Sequence, residues 1–94
     1  MKKIILKGDL MTSRRRAHLH MQEKLDSKEY YGRNLDALWD VLSTYSQPIE
    51  IVLENKDKLL ENLETYGESI IKIFEEAQSE NSNINFKLLN DKQE

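Results

Sequence analysis

Three short apolar runs, far apart in the chain, most constrain what it can fold into. Residues 3–7 read Lys-Ile-Ile-Leu-Lys, residues 49–53 read Ile-Glu-Ile-Val-Leu, and residues 84–89 alternate Ile84, Phe86 and Leu88 with Asn85 and Lys87. Each has the length and aliphatic content of a strand, and the long stretches between them carry helical spacing. Strands so separated cannot pair through a tight hairpin. Each connection crosses over as helix and returns in the same direction, which makes the pairing parallel and the crossovers right-handed. The order strand, two helical segments, strand, two helical segments, strand therefore predicts an α/β fold, a small three-stranded parallel sheet with helices packed around it. One domain over residues 1–90 is expected, with residues 91–94 a frayed tail. The three consecutive aliphatics of the first run suggest a strand covered on both faces, hence the central one. The alternation of the last run puts it at an edge.

Between the strands, Thr12 or Ser13 can cap a helix to about Asp26, with Ala17, Met21 and Lys24 or Leu25 at helical spacing. Gly32 offers backbone freedom for a turn before Asn34, a favoured N-cap, and a second helix follows from Leu35 to about Tyr45. Pro48 precedes the second strand. Residues 55–66 hold Leu59, Leu60 and Leu63 in a short helix capped by Asn55 or Asp57 and punctuated by Gly67. Residues 68–80 set Ile70, Ile71, Ile73, Phe74 and Ala77 on a wide apolar stripe that ends in the turn-prone Asn81-Ser82-Asn83.

Leu, Ile, Val and Phe occupy 25 of the 94 positions, above the level of about a fifth below which a charged chain stays disordered. The absence of cysteine excludes disulfides and thiolate chemistry and points to a reducing cytoplasm. No apolar run approaches the roughly 20 residues of a membrane helix or the h-region of a signal peptide, so neither membrane association nor export is expected. Net charge is −3, but unevenly spread: residues 1–16 carry +5 and the remainder −8. From Glu29 to Glu80 there are twelve acids and four bases, which argues against a nucleic-acid surface there and for a basic partner. The triplet Arg14, Arg15 and Arg16 could contact phosphate, but adjacent residues on a helix point in three directions, and no nucleic-acid partner is expected.

The second helical segment carries the most information. Leu38, Val41, Leu42 and Tyr45 fall on one face, Asp36, Asp40 and Ser43 on the opposite one, and Trp39 on the border; continued back one turn, the same phase brings Arg33 to the acidic side. Carboxylates at i and i+4 repel each other, and only Asp36, in the first turn, gains clearly from the helix dipole. A purely structural helix has no reason to choose this. The preceding Tyr30-Tyr31-Gly32 and the bordering Trp39 surround the acids with aromatic rings, the composition of an interface centre. An enzyme would have to use the same acids on a convex helix face with no cleft. His18 and His20, two apart, cannot share a metal on a helix; Gly67-Glu68-Ser69 lacks the second glycine of a nucleophile elbow; no glycine-rich phosphate loop occurs. Neither catalysis, a metal nor a cofactor is expected.

The run Glu29-Tyr30-Tyr31-Gly32-Arg33-Asn34-Leu35-Asp36-Ala37-Leu38-Trp39-Asp40 resembles the signature of the barstar family, intracellular inhibitors of barnase-type ribonucleases. Pro48 before its strand, Gly67-Glu68-Ser69, Phe74-Glu75-Glu76-Ala77 and the terminal strand extend the resemblance over nearly the whole chain. It implies a three-stranded parallel sheet and a partner surface made of the Tyr-Tyr-Gly loop and the exposed face of the next helix. By resemblance, Asp40 matches the central acid that takes the place of the substrate phosphate; Asp36, Tyr30, Tyr31, Gly32, Asn34, Leu35 and Trp39 match further contacts, and Glu76 an acidic contact on the last long helix. Arg33 and Ser43 complete the candidate surface from their positions beside these residues. Two departures stand out: Arg33 where an acid is often found, and Tyr45 where a tryptophan often ends the acidic helix. The implied partner is a basic barnase-like ribonuclease in a 1:1 complex, with the free protein monomeric. The alternative is an interaction module of the same fold that binds a different basic protein.

Overall fold

The computed structural model describes residues 1–26 and 32–89. Strand β1 (Lys2–Lys7) leads through a single 3-10 turn (Gly8–Leu10) to helix α1 (Arg14–Leu25). Helix α2 (Leu35–Ser43), strand β2 (Ile49–Glu54), helices α3 (Lys56–Leu63) and α4 (Thr65–Glu80), and strand β3 (Ile84–Leu89) follow. The three strands form one parallel sheet in the order β1-β2-β3. The α/β class and parallel pairing expected from the spacing of the apolar runs are therefore present.

The centre of the sheet is β2, and this corrects the expectation that the first strand is central. Its Ile49, Ile51 and Leu53 are buried on one face and Val52 on the other. In β1 only Ile4 and Leu6 are buried, and both face the core. Ile5 is half-buried and pairs in register with Val52. The unbroken aliphatic run of β1 thus arises because an edge residue shields its central neighbour, not because a second layer covers the strand. Around Val52 the outer sheet face is polar, with Lys7 3.8 Å from Glu54 and Lys87 3.1 Å from Glu50. The edge position expected for β3 is observed.

The inner face of the sheet, with Ile4, Leu6, Ile49, Ile51, Leu53, Ile84 and Phe86, meets the buried stripes of the helices in one core. Phe74 of α4 stacks on Phe86 with ring centroids 4.9 Å apart. Ser13 is the N-cap of α1, its Oγ accepting from Arg16 N at 3.1 Å. At the α3–α4 junction the expected break at Gly67 is displaced to Glu64, where φ is 55° and ψ −124°. Gly67 lies buried inside α4, where an added Cβ would come within 3.2 Å of Leu59 O and 3.3 Å of Leu59 Cγ. That glycine serves close packing of the two helices, which the sequence does not distinguish from a turn. Asn55 stands at the N-cap position of α3 as expected, yet its side chain makes no cap bond and donates instead to Asp9 Oδ1 at 2.7 Å.

The two histidines of α1 face different neighbours. His18 is buried and shares a 2.7 Å hydrogen bond with Tyr66 OH, while Arg14 packs over the Tyr66 ring at 4.3 Å. His20 Nε2 accepts from the Lys7 N–H of β1 at 3.0 Å. Burial pulls both imidazoles below the ordinary histidine pKa.

Candidate functional site: the acidic face of helix α2

Helix α2 begins where its sequence says it should. Asn34 Oδ1 accepts from Ala37 N at 2.8 Å, and Asn34 Nδ2 reaches back to Gly32 O at 3.2 Å. The backbone freedom expected at Gly32 is found one residue later: no described glycine has positive φ, whereas Arg33 has φ 53°. Gly32 is required on other grounds, since a Cβ there would lie 2.8 Å from Ala37 Cβ. The helical phase therefore does not extend back to Arg33, which enters the site from the loop, exposed, rather than as a member of the helix wheel.

Leu38, Val41 and Leu42 are buried and fix the inner face of α2, with Leu35, Trp39 and Tyr45 packed partly against the core. Asp36 and Asp40 are exposed one turn apart. Among the described residues, Arg33, Asp36 and Asp40 belong to none of the ion pairs. Ser43 is half-buried at the end of the same face, its Oγ 3.4 Å from Asp40 O. Glu76 lies exposed on α4, the helix that packs beside α2. The structure thus brings Gly32, Arg33, Asn34, Leu35, Asp36, Trp39, Asp40 and Ser43 onto one helix and its entry loop, with Glu76 on the adjacent helix. Tyr30 and Tyr31 lie outside the described residues, as does the tail.

Helix α2 ends at Ser43, two residues short of the expected Tyr45. Its closing turn is held by side chains: Thr44 Oγ1 donates to Asp40 O at 2.6 Å, and Asn81 Nδ2, at the end of α4, donates to Leu42 O at 2.9 Å and Tyr45 O at 3.0 Å. The sequence marked Asn81-Ser82-Asn83 only as a turn. A side-chain amide that serves a helix forty residues away leaves no periodic signal.

Chemically, the site is an array of exposed carboxylates bordered by a half-buried indole. It can present fixed negative charge and an aromatic edge to a complementary surface. Comparison with known proteins agrees with this chemistry. The family model described as Barstar (barnase inhibitor) matches residues 1–91. A protein of Bacillus subtilis (strain 168), named "Putative ribonuclease inhibitor YrdF", is 38% identical over 81 residues, which cover 85% of this chain and 89% of that protein.

Proposed function

The chain belongs to the barstar family, and on that premise we propose that it is a non-catalytic inhibitor that binds a basic barnase-type ribonuclease in a 1:1 complex and blocks its active site. The observation that carries the reading is the pair of exposed carboxylates, Asp36 and Asp40, in no ion pair among the described residues, on a helix whose opposite face is locked into the core. Asp40 enters the site that holds an RNA phosphate during catalysis; Asp36, Trp39 and Ser43 flank it, Gly32, Asn34 and Leu35 meet the partner from the helix start, and Glu76 adds an acid from α4. Tyr30 and Tyr31 are assigned as further aromatic contacts from their match to the family signature alone.

The physics is that of charge delivered to a prepared receptor. A cleft that binds phosphates focuses positive potential, so the acidic face is drawn in over long range and association is fast and salt-sensitive. Affinity then depends on complete pairing of the central carboxylate, because a buried acid without partners costs more than it returns. The carboxylates sit on a helix capped at both ends, so little ordering remains to be done on binding.

A second reading, the same surface docked on a different basic protein, is favoured by Arg33, a cation at the head of the acidic face that a uniformly basic cleft repels. Titrating a panel of barnase-type ribonucleases with the protein separates the two. Inhibition predicts that RNA cleavage by at least one of them falls linearly to zero at one molar equivalent. Full cleavage by all of them at micromolar excess would sink the inhibitor reading and leave the second.

A further inference from the structure

The last turn of α2 holds Asp40, the acid assigned the central role above. Nine residues are too few for a helix to persist on its own. Asp36 and Asp40 repel along one face, and the last turn contains no basic residue to complement the negative end of the dipole. Asp40 itself lies in that turn with its charge of the wrong sign. The carbonyls at a helix end lack intrahelical N–H partners and need donors from elsewhere.

Thr44 Oγ1 donates to Asp40 O at 2.6 Å, and further donors come from Asn81. Its Nδ2 lies 2.9 Å from Leu42 O and 3.0 Å from Tyr45 O, with a longer approach of 3.5 Å to Ser43 O. Asn81 Oδ1 accepts from Asn83 N at 3.0 Å, which sets the amide so that its two protons face α2. Asn83 Nδ2 adds a second donor to Tyr45 O at 3.1 Å. Asn81 is also the C-cap of α4, its backbone N–H donating to Ala77 O at 2.8 Å, little more than one turn past Glu76. One residue thus ends the helix that carries Glu76 and closes the helix that carries Asp40.

We infer that Asn81 is a positioning residue for the inhibitory surface: its amide fixes the last turn of α2 against the end of α4, and so fixes the Asp40 carboxylate relative to Glu76. This rests on the assignment of Asp40 as the central acid. With the amide gone, the turn samples frayed conformations, and only the fraction with Asp40 correctly placed binds. The effect acts through Asp40, which distinguishes it from a general loss of stability.

The test is a double-mutant cycle on the ribonuclease that the wild-type chain binds most tightly in the panel above. Asn81→Ala in the wild-type background is expected to weaken binding roughly tenfold, the equivalent of about one lost net hydrogen bond. Asn81→Asp, which turns a carboxylate oxygen toward the same carbonyls, is expected to weaken it at least as much. In the Asp40→Ala background, Asn81→Ala should change affinity by less than about twofold. Hydrogen exchange on the free protein provides a second arm: the Thr44 and Tyr45 amides should exchange about tenfold faster in Asn81→Ala, with those of Ile51 and Val52 in β2 unchanged. An equal loss of affinity in both backgrounds, or unchanged exchange at Thr44 and Tyr45, overturns the role of Asn81. Asp40→Ala binding as tightly as wild type would instead overturn the assignment of Asp40, and a wild-type chain that binds no member of the panel would remove the inhibitor reading itself; in that case the exchange arm still decides whether Asn81 holds the turn.

Discussion

Arg33 combines two unfavourable choices: a left-handed backbone at φ 53°, which costs a residue with a Cβ about 1 to 2 kcal/mol, and a cation before the positive end of α2. Arg33→Asn, which tolerates that conformation better, is expected to raise the stability of the free protein by about 0.5 to 1 kcal/mol. A denaturant midpoint that does not move would show that the loop relaxes around the arginine. In the proposed complex, its charge is expected to act as a rim charge. Arg33→Glu should speed association with a basic ribonuclease, most at low salt, and leave dissociation nearly unchanged. Faster dissociation from the native target would reveal an acid opposite Arg33, and then the arginine selects among partners by attraction and repulsion together. Of the two acids, Asp40→Ala is expected to weaken binding more than Asp36→Ala, by at least about thirtyfold if Asp40 is the central anchor. Equal losses would show that the roles carried over from the family do not fit these positions.

At the level of elements, α2 depends on its cap and α1 on uncharged histidines. Asn34→Ala removes the acceptor of Ala37 N and is expected to cost about 1 kcal/mol of stability, read from a shift in the denaturant midpoint at unchanged slope. Both histidines of α1 are held below their ordinary pKa by burial, so the unfolded chain takes up protons before the folded one does. Their contribution to stability is complete above about pH 6.5 and is lost as pH falls through the lower, folded values. His20 protonated on Nε2 can no longer accept from Lys7 N. Denaturant midpoints should therefore fall as pH is lowered from about 6.5, and a flat profile below that pH would contradict the burial of these side chains. The elements themselves were legible because aliphatic runs and helical spacing report burial directly. Which strand is central was not, since Ile5 covers Val52 from an edge and looks the same in sequence as a strand buried twice. Gly67 misled for a related reason: close packing against Leu59 and a turn both require the missing Cβ. The acidic face of α2 stood out because it defies helix electrostatics, whereas Asn81 obeys every local expectation of a turn and shows its role only in three dimensions.

Across the whole molecule, charge and architecture are divided in the same way. The positive first sixteen residues form β1 and the start of α1, while α2 and α4 carry the acids of the proposed surface side by side. A single core behind both helices means that the acids are held by the fold rather than by one another, and in the proposed complex a basic partner would relieve their mutual repulsion. The central claim is that Asp40 occupies a phosphate position in a ribonuclease active site, and competition tests it most directly. Calorimetric titration of a barnase-type ribonuclease with the protein is carried out with and without a saturating nucleoside 3′-phosphate. The two are expected to exclude one another, so that apparent affinity falls in proportion to the nucleotide concentration for the wild-type chain. Unaltered affinity in the presence of nucleotide, and hence a ternary complex, would place the protein away from the phosphate site and contradict the claim.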